Sequence, residues 1–328
     1  MPWPSATWTR WRRLVRVPPS APTSWPRRAT AATGLTVRAS TAGVVLAGRV
    51  LVGTVLVGAV LVGAAVAGAA GVTAVGEPVT IRSGELTLAG YLARPSASAA
   101  KGSGRYGLVV SHGFPEGPQN AEVVGKTFPE LADRLAGDTQ WTVLTFNFRG
   151  TGESKGDFSL AGWLADLRAA VDHLLNEEGV EAVWLCGFSA GGALSICAAG
   201  EDERVRGVAT FAAPADFNDW AADPRRFLAH ARSVGVIRSS RFPRDPDAWA
   251  RELREVRPLS LIGKIPPRPL LIVHGANDSA VDMLDARALA DAAEGDVELR
   301  ILAAASHYLR HDPRAIAILL GWLDRQLV

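Results

Sequence analysis

The sequence predicts an α/β fold: a mostly parallel central sheet with helices on both faces and a short helical lid. Three observations carry this. After Glu77, apolar β-rich runs alternate with stretches of helical period. Several runs are apolar throughout, as in Leu270-Leu271-Ile272-Val273, which suits interior strands buried on both faces. With 328 residues, 48% hydrophobic, 21% charged and 33 glycines, the chain can bury a sizeable core, which excludes a collagen or a small disulfide scaffold.

Before Glu77 the pattern differs. Residues 1–76 hold eight arginines and neither acid nor lysine, so the remaining 27 basic and 33 acidic residues leave 77–328 at −6. A mildly acidic body without basic clusters argues against nucleic acid as a partner. Residues 1–49 form a basic segment whose first 33 residues show no hydrophobic period and read as disordered. Residues 50–76 carry no charge and are long enough to span a membrane, with the arginines on their N-terminal side, which predicts N-terminus in and body out. The stretch repeats Leu-Val-Gly at Leu51, Leu56 and Leu61. Three readings stand: a membrane anchor, a cleaved export signal, or an upstream tract outside the working protein, which would then be cytoplasmic.

Strands are expected over Leu86–Ala93, Tyr106–Ser111, Thr142–Asn147, Ala182–Gly187, Val205–Phe211, Leu270–His274 and Val297–Leu302. Leu160, Trp163, Leu164, Leu167, Val171, Leu174 and Leu175 follow three- and four-residue spacing and mark an amphipathic helix. Asp312 and Pro313 cap and open the last helix. From Asp216 to Pro267 the alternation breaks into Trp-, Arg-, Pro- and Asp-rich sequence, too long for an ordinary connection, which indicates a helical lid. Cys186 and Cys197 sit in apolar surroundings and read as buried, reduced thiols.

Gly187-Phe188-Ser189-Ala190-Gly191 matches G-x-S-x-G, a weak signal alone. Context strengthens it, because an apolar strand leads in and a small-residue helix leads out, the strand–turn–helix a nucleophile elbow requires. A serine hydroxyl is a poor nucleophile near neutral pH, so an imidazole must take its proton and a carboxylate must orient that ring. Asp278 lies in a loop just past the Leu270–His274 strand; its rival Asp282 better suits a helix cap. His307 follows the Val297–Leu302 strand, whereas His311 sits beside the last helix cap and suits the surface. His173 and His230 read as ordinary polar positions. The oxyanion needs backbone donors, and the N–H groups of Ala190 and Phe114 are the candidates; Pro115 has none. His112 shapes that loop. No His/Cys/Asp cluster shows ligand spacing, so neither a metal nor a cofactor is expected.

Over about residues 79–328 the chain resembles the α/β-hydrolase superfamily. The resemblance rests on His112-Gly113-Phe114, Phe146-Asn147-Phe148-Arg149-Gly150-Thr151-Gly152-Glu153-Ser154, Gly187–Gly191, His274-Gly275-x-x-Asp278-x-x-Val281 and Ser306-His307, in the order Ser, Asp, His. The Asn147–Ser154 run is similar to dienelactone-hydrolase-like and serine-aminopeptidase-like members, where it forms a structural turn, and no catalytic role is assigned to Arg149. Two departures stand out: Ala303-Ala304-Ala305-Ser306 precedes the histidine where relatives carry glycine, and residues 1–76 have no counterpart. The resemblance implies a serine hydrolase acting on a small-molecule or peptide acyl substrate, with Ser189 as nucleophile, His307 as base then acid, Asp278 orienting it, and Trp220, Phe227, Phe242 and Trp249 of the lid shaping the pocket. An acyltransferase on the same residues and a non-catalytic membrane-attached binding protein are the alternatives. Neither the substrate nor the oligomeric state is legible.

Overall fold

The computed structural model describes residues 76–95 and 105–327. They fall within one compact unit of the chain. The expectations for 1–49 and 50–76 lie outside the described residues, Gly76 excepted. Among the described residues no helix is long and apolar enough to cross a membrane.

Eight strands form one sheet: β1 (Glu77–Ser83), β2 (Leu86–Ala93), β3 (Tyr106–Ser111), β4 (Thr142–Phe146), β5 (Ala182–Phe188), β6 (Val205–Phe211), β7 (Leu270–Gly275) and β8 (Glu298–Leu302). Their order is β1-β2-β4-β3-β5-β6-β7-β8. β1 and β2 pair antiparallel, as do β2 and β4, and every other pairing is parallel. Every residue of β4, β5 and β7 is buried, so continuous apolar runs mark strands covered on both faces. β1 is the strand the sequence did not announce. It is an edge strand whose second residue, Pro78, removes a ladder donor, and four of its seven residues are exposed.

The helices are α1 (Phe128–Asp138), α2 (Leu160–Asn176), α3 (Ala190–Glu201), α4 (Asn218–Ala222), α5 (Pro224–Ser233), α6 (Pro246–Glu255), α7 (Pro258–Leu261), α8 (Met283–Ala292) and α9 (Pro313–Asp324). α1 and α9 share one core with the sheet through Phe128, Leu135, Leu319 and Trp322. α2, α3 and α8 share the other, together with Trp249 of α6. α2 buries the anticipated stripe Leu160, Trp163, Leu164, Leu167, Val171 and Leu174, and Ser159 caps it by accepting from Gly162 N–H. Fully burying one such side chain contributes about 1.5–3 kcal/mol, so this stripe is a main tie between α2 and the sheet. Asp282 and Asp312 cap α8 and α9 as their sequence positions suggest. The stretch between β6 and β7 contains α4 to α7 and no strand.

Candidate active site

The turn from β5 into α3 puts Ser189 at φ 52°, ψ −126°, a conformation non-glycine residues rarely hold. The surroundings enforce it. Ser189 N–H donates to Phe211 O at 2.8 Å, and Ser189 O accepts from Gly192 and Ala193 N–H. The flanking glycines follow from close approach: a Cβ on Gly191 would lie 2.5 Å from His112 O, and one on Gly187 would overlap the Gly191 backbone. The turn therefore holds a half-buried serine at the carboxyl end of a central strand, beside the positive end of α3.

Asp278 and His307 come from the loops after β7 and β8. His307 Nδ1 lies 2.8 Å from Asp278 Oδ2. Asp278 Oδ1 accepts from Ala280 and Val281 N–H at 2.8 and 2.9 Å. His274 Nε2 lies 3.4 Å from Asp278 Oδ2 and 3.1 Å from Val281 O. Burial works against the charge on Asp278, yet the hydrogen bonds from His274 and His307 and the His307 charge outweigh it and hold the carboxyl well below its ordinary range. An ionised carboxylate on Nδ1 leaves Nε2 of His307 for the proton of a nucleophile. The two loops are stitched together, since Asn277 N–H donates to Ala305 O and Ala276 N–H to Leu302 O, both at 2.9 Å. Gly275 permits this, because a Cβ there would meet Ala305 O at 2.5 Å. Three residues before the histidine, Ala304 takes φ 58° and supplies a left-handed turn.

Phe114 and Ala190 line one cavity of about 360 Å³ with Ser189, Asp278 and His307. Among the described residues no hydrogen bond joins Ser189 Oγ to His307; both residues line the cavity wall. His112 fixes the loop that carries Phe114. Its Nδ1 lies 2.7 Å from Gly113 O, and its Nε2 accepts from Phe148 N–H at 3.3 Å, so Nδ1 carries the proton. Burial pushes its pKa down to about 4. The Phe114 ring is wedged among Phe158, Trp220 and Phe227 at centroid distances of 5.1–5.4 Å.

Other anticipated residues take structural places. Arg149 grips fully buried Asp166 at 2.6 Å, and its carbonyl accepts from Trp163 Nε1–H. His311 is exposed. Cys186 and Cys197 are free and buried, and burial raises both thiols, Cys197 to about 12. Of the four lid aromatics expected at the pocket, Trp220 alone lines the cavity. Phe227 and Trp249 are core residues instead, stacked at 5.8 Å, and Phe242 packs against the same core. The cavity wall also holds Glu116, Phe217 and Asp219, which the sequence did not single out because nothing in their local pattern distinguishes them.

Residues 107–232 match a family model described as alpha/beta hydrolase fold. Similar solved structures include the esterase Pf2001 of Pyrococcus furiosus, 19% identical with TM-score 0.54 over 76% of this chain and 92% of that one. The esterase domain of a Rhodothermus marinus protein is 25% identical, with TM-score 0.53 over 76% of this chain and 98% of that one. An acylaminoacyl peptidase of Pyrococcus horikoshii is 16% identical, with TM-score 0.56 over 77% of this chain and 42% of that one. Among curated proteins none matches the chain.

Proposed function

The chain has the α/β-hydrolase fold, and on that premise we propose that it is a serine hydrolase cleaving an ester, thioester or amide bond through an acyl-enzyme. The observation that carries the reading is the Asp278-bound imidazole of His307 facing the same cavity as a serine held in a strained turn.

Ser189 Oγ attacks the substrate carbonyl carbon while His307 Nε2 takes its proton, and the charge of Asp278 stabilises the imidazolium that forms. The N–H groups of Phe114 and Ala190 receive the oxyanion. Collapse of the tetrahedral intermediate expels the alcohol, thiol or amine, protonated by His307, and leaves an acyl group on Ser189. Water, deprotonated by the same imidazole, then releases the acid. The 216–267 segment acts as a lid, and its Phe217 and Trp220 supply apolar wall to the cavity. No step requires a metal or a cofactor.

A fluorophosphonate probe should label the purified protein, and Ser189→Ala should abolish both labelling and turnover of simple esters. Labelling that survives the substitution would place the nucleophile elsewhere.

A further inference from the structure

The cavity described above adjoins a second one of about 240 Å³, and Ser189, His307, Phe114 and Glu116 belong to both walls. The two differ in charge. The larger carries Asp216, Asp219, Asp282 and Asp285 in addition to Asp278 and Glu116, and its lining includes neither Arg nor Lys. The smaller is walled by apolar residues such as Val124, Phe128 and Leu309, and carries Arg310, three residues past His307.

Arg310 is held in an unusual way. Its guanidinium lies over the Phe128 ring at 4.9 Å and its Nε donates to His311 Nε2 at 3.1 Å. Nη1 is enclosed without a hydrogen-bond partner. Among the described residues no carboxylate lies within ion-pair distance, and burial, unopposed by any acid, lowers its pKa. The one carboxylate on this wall, Glu116, accepts from Tyr308 Oη–H at 2.5 Å. Half-burying a cation without a counter-charge is costly, and an enclosed unsatisfied donor calls for an explanation. An incoming anion supplies one.

Resting on the serine-hydrolase reading, we propose that Arg310 selects substrates whose acyl or leaving part bears a carboxylate, which it draws into the smaller cavity beside Ser189 and His307. The carboxylates of the larger cavity repel the same group, so the substrate is oriented as well as bound.

The test uses paired substrates of matched size with the full-length protein. One pair is p-nitrophenyl hemiglutarate against p-nitrophenyl valerate, with the carboxylate on the acyl side. The other is 4-acetoxybenzoate against phenyl acetate, with the carboxylate on the leaving group and rates compared after correction for intrinsic leaving-group reactivity. In the wild type, kcat/KM should favour the charged member of at least one pair by about tenfold. Arg310→Gln should erase that preference mainly through KM, and Arg310→Lys should keep part of it. Raising ionic strength should weaken the preference in the wild type, a readout independent of any variant's folding. A wild type without preference in either pair, or an Arg310→Gln variant that loses charged and neutral members equally, would overturn the assignment. Continued labelling of Ser189 and turnover of the neutral esters would leave the hydrolase reading standing; their absence in the wild type would remove both.

Discussion

The turn that carries Ser189 and the loops that carry Asp278 and His307 are held by different means. Around Ser189 the constraint is main chain against main chain: Phe211 O, Gly192 and His112 O close on the elbow from three sides. Around Asp278 and His307 main-chain bonds join the two loops, but the functional side chains themselves are fixed by hydrogen bonding to one carboxylate. An added atom should therefore break the fold at the elbow, whereas an isosteric exchange in the loops should break the chemistry and spare the fold.

The largest expected effect lies in the loops. Asp278→Asn keeps an oxygen for Ala280 and Val281 N–H, but its amide cannot accept from His307 Nδ1–H in the required tautomer. We expect kcat to fall by about 10⁴ while unfolding in urea shifts by less than about 1 kcal/mol. A comparable loss of stability would erase the contrast. At the elbow, Gly191→Ala must displace the His112 backbone, and should cost at least about 3 kcal/mol or prevent soluble expression, read as the urea midpoint or the yield. A variant as stable as the wild type would mean the turn is softer than its contacts imply.

The third effect is spread over pH. His112, 1% exposed, has its pKa pushed from 6.5 down to about 4 by burial, so the folded chain keeps it neutral where the unfolded chain takes up a proton. That contribution is fully present above about pH 6.5 and is lost as pH falls towards 4, amounting to roughly 3 kcal/mol at most. Urea midpoints between pH 7 and 4 should fall along this course, and His112→Gln should flatten it. An unchanged slope in the variant would assign the acid sensitivity to other groups.

How much of this the sequence discloses depends on whether the cause is local. β5 and β7 stand out because burial on both faces writes a nearly unbroken apolar run. The elbow and Asp278 lie at or just past the ends of β5 and β7, whereas His307 lies five residues past β8, a mixed strand with Glu298 and Arg300, and stands out only as a histidine in a loop past a strand end. β1 is not legible, since an edge strand with Pro78 and exposed alternate residues looks like polar chain. The partition of the lid aromatics was also invisible. Trp249 is drawn inward by a hydrogen bond to Phe158 O, 91 residues away. Arg310 fails for the same reason, because its isolation from acids is a property of the assembled wall and not of its neighbours in the chain.

The order of the strands has a consequence of its own. β4 lies on one side of β3 and β5 on the other, so the winding reverses direction between them, and the helices that follow β3 and β5 leave towards opposite faces. A fissure then opens past the carboxyl ends of those two strands whatever residues line it. Phe114 and Ser189 occupy its two banks. Location is thus inherited from how the ribbon is wound, and evolution has only to decorate a gap that geometry provides.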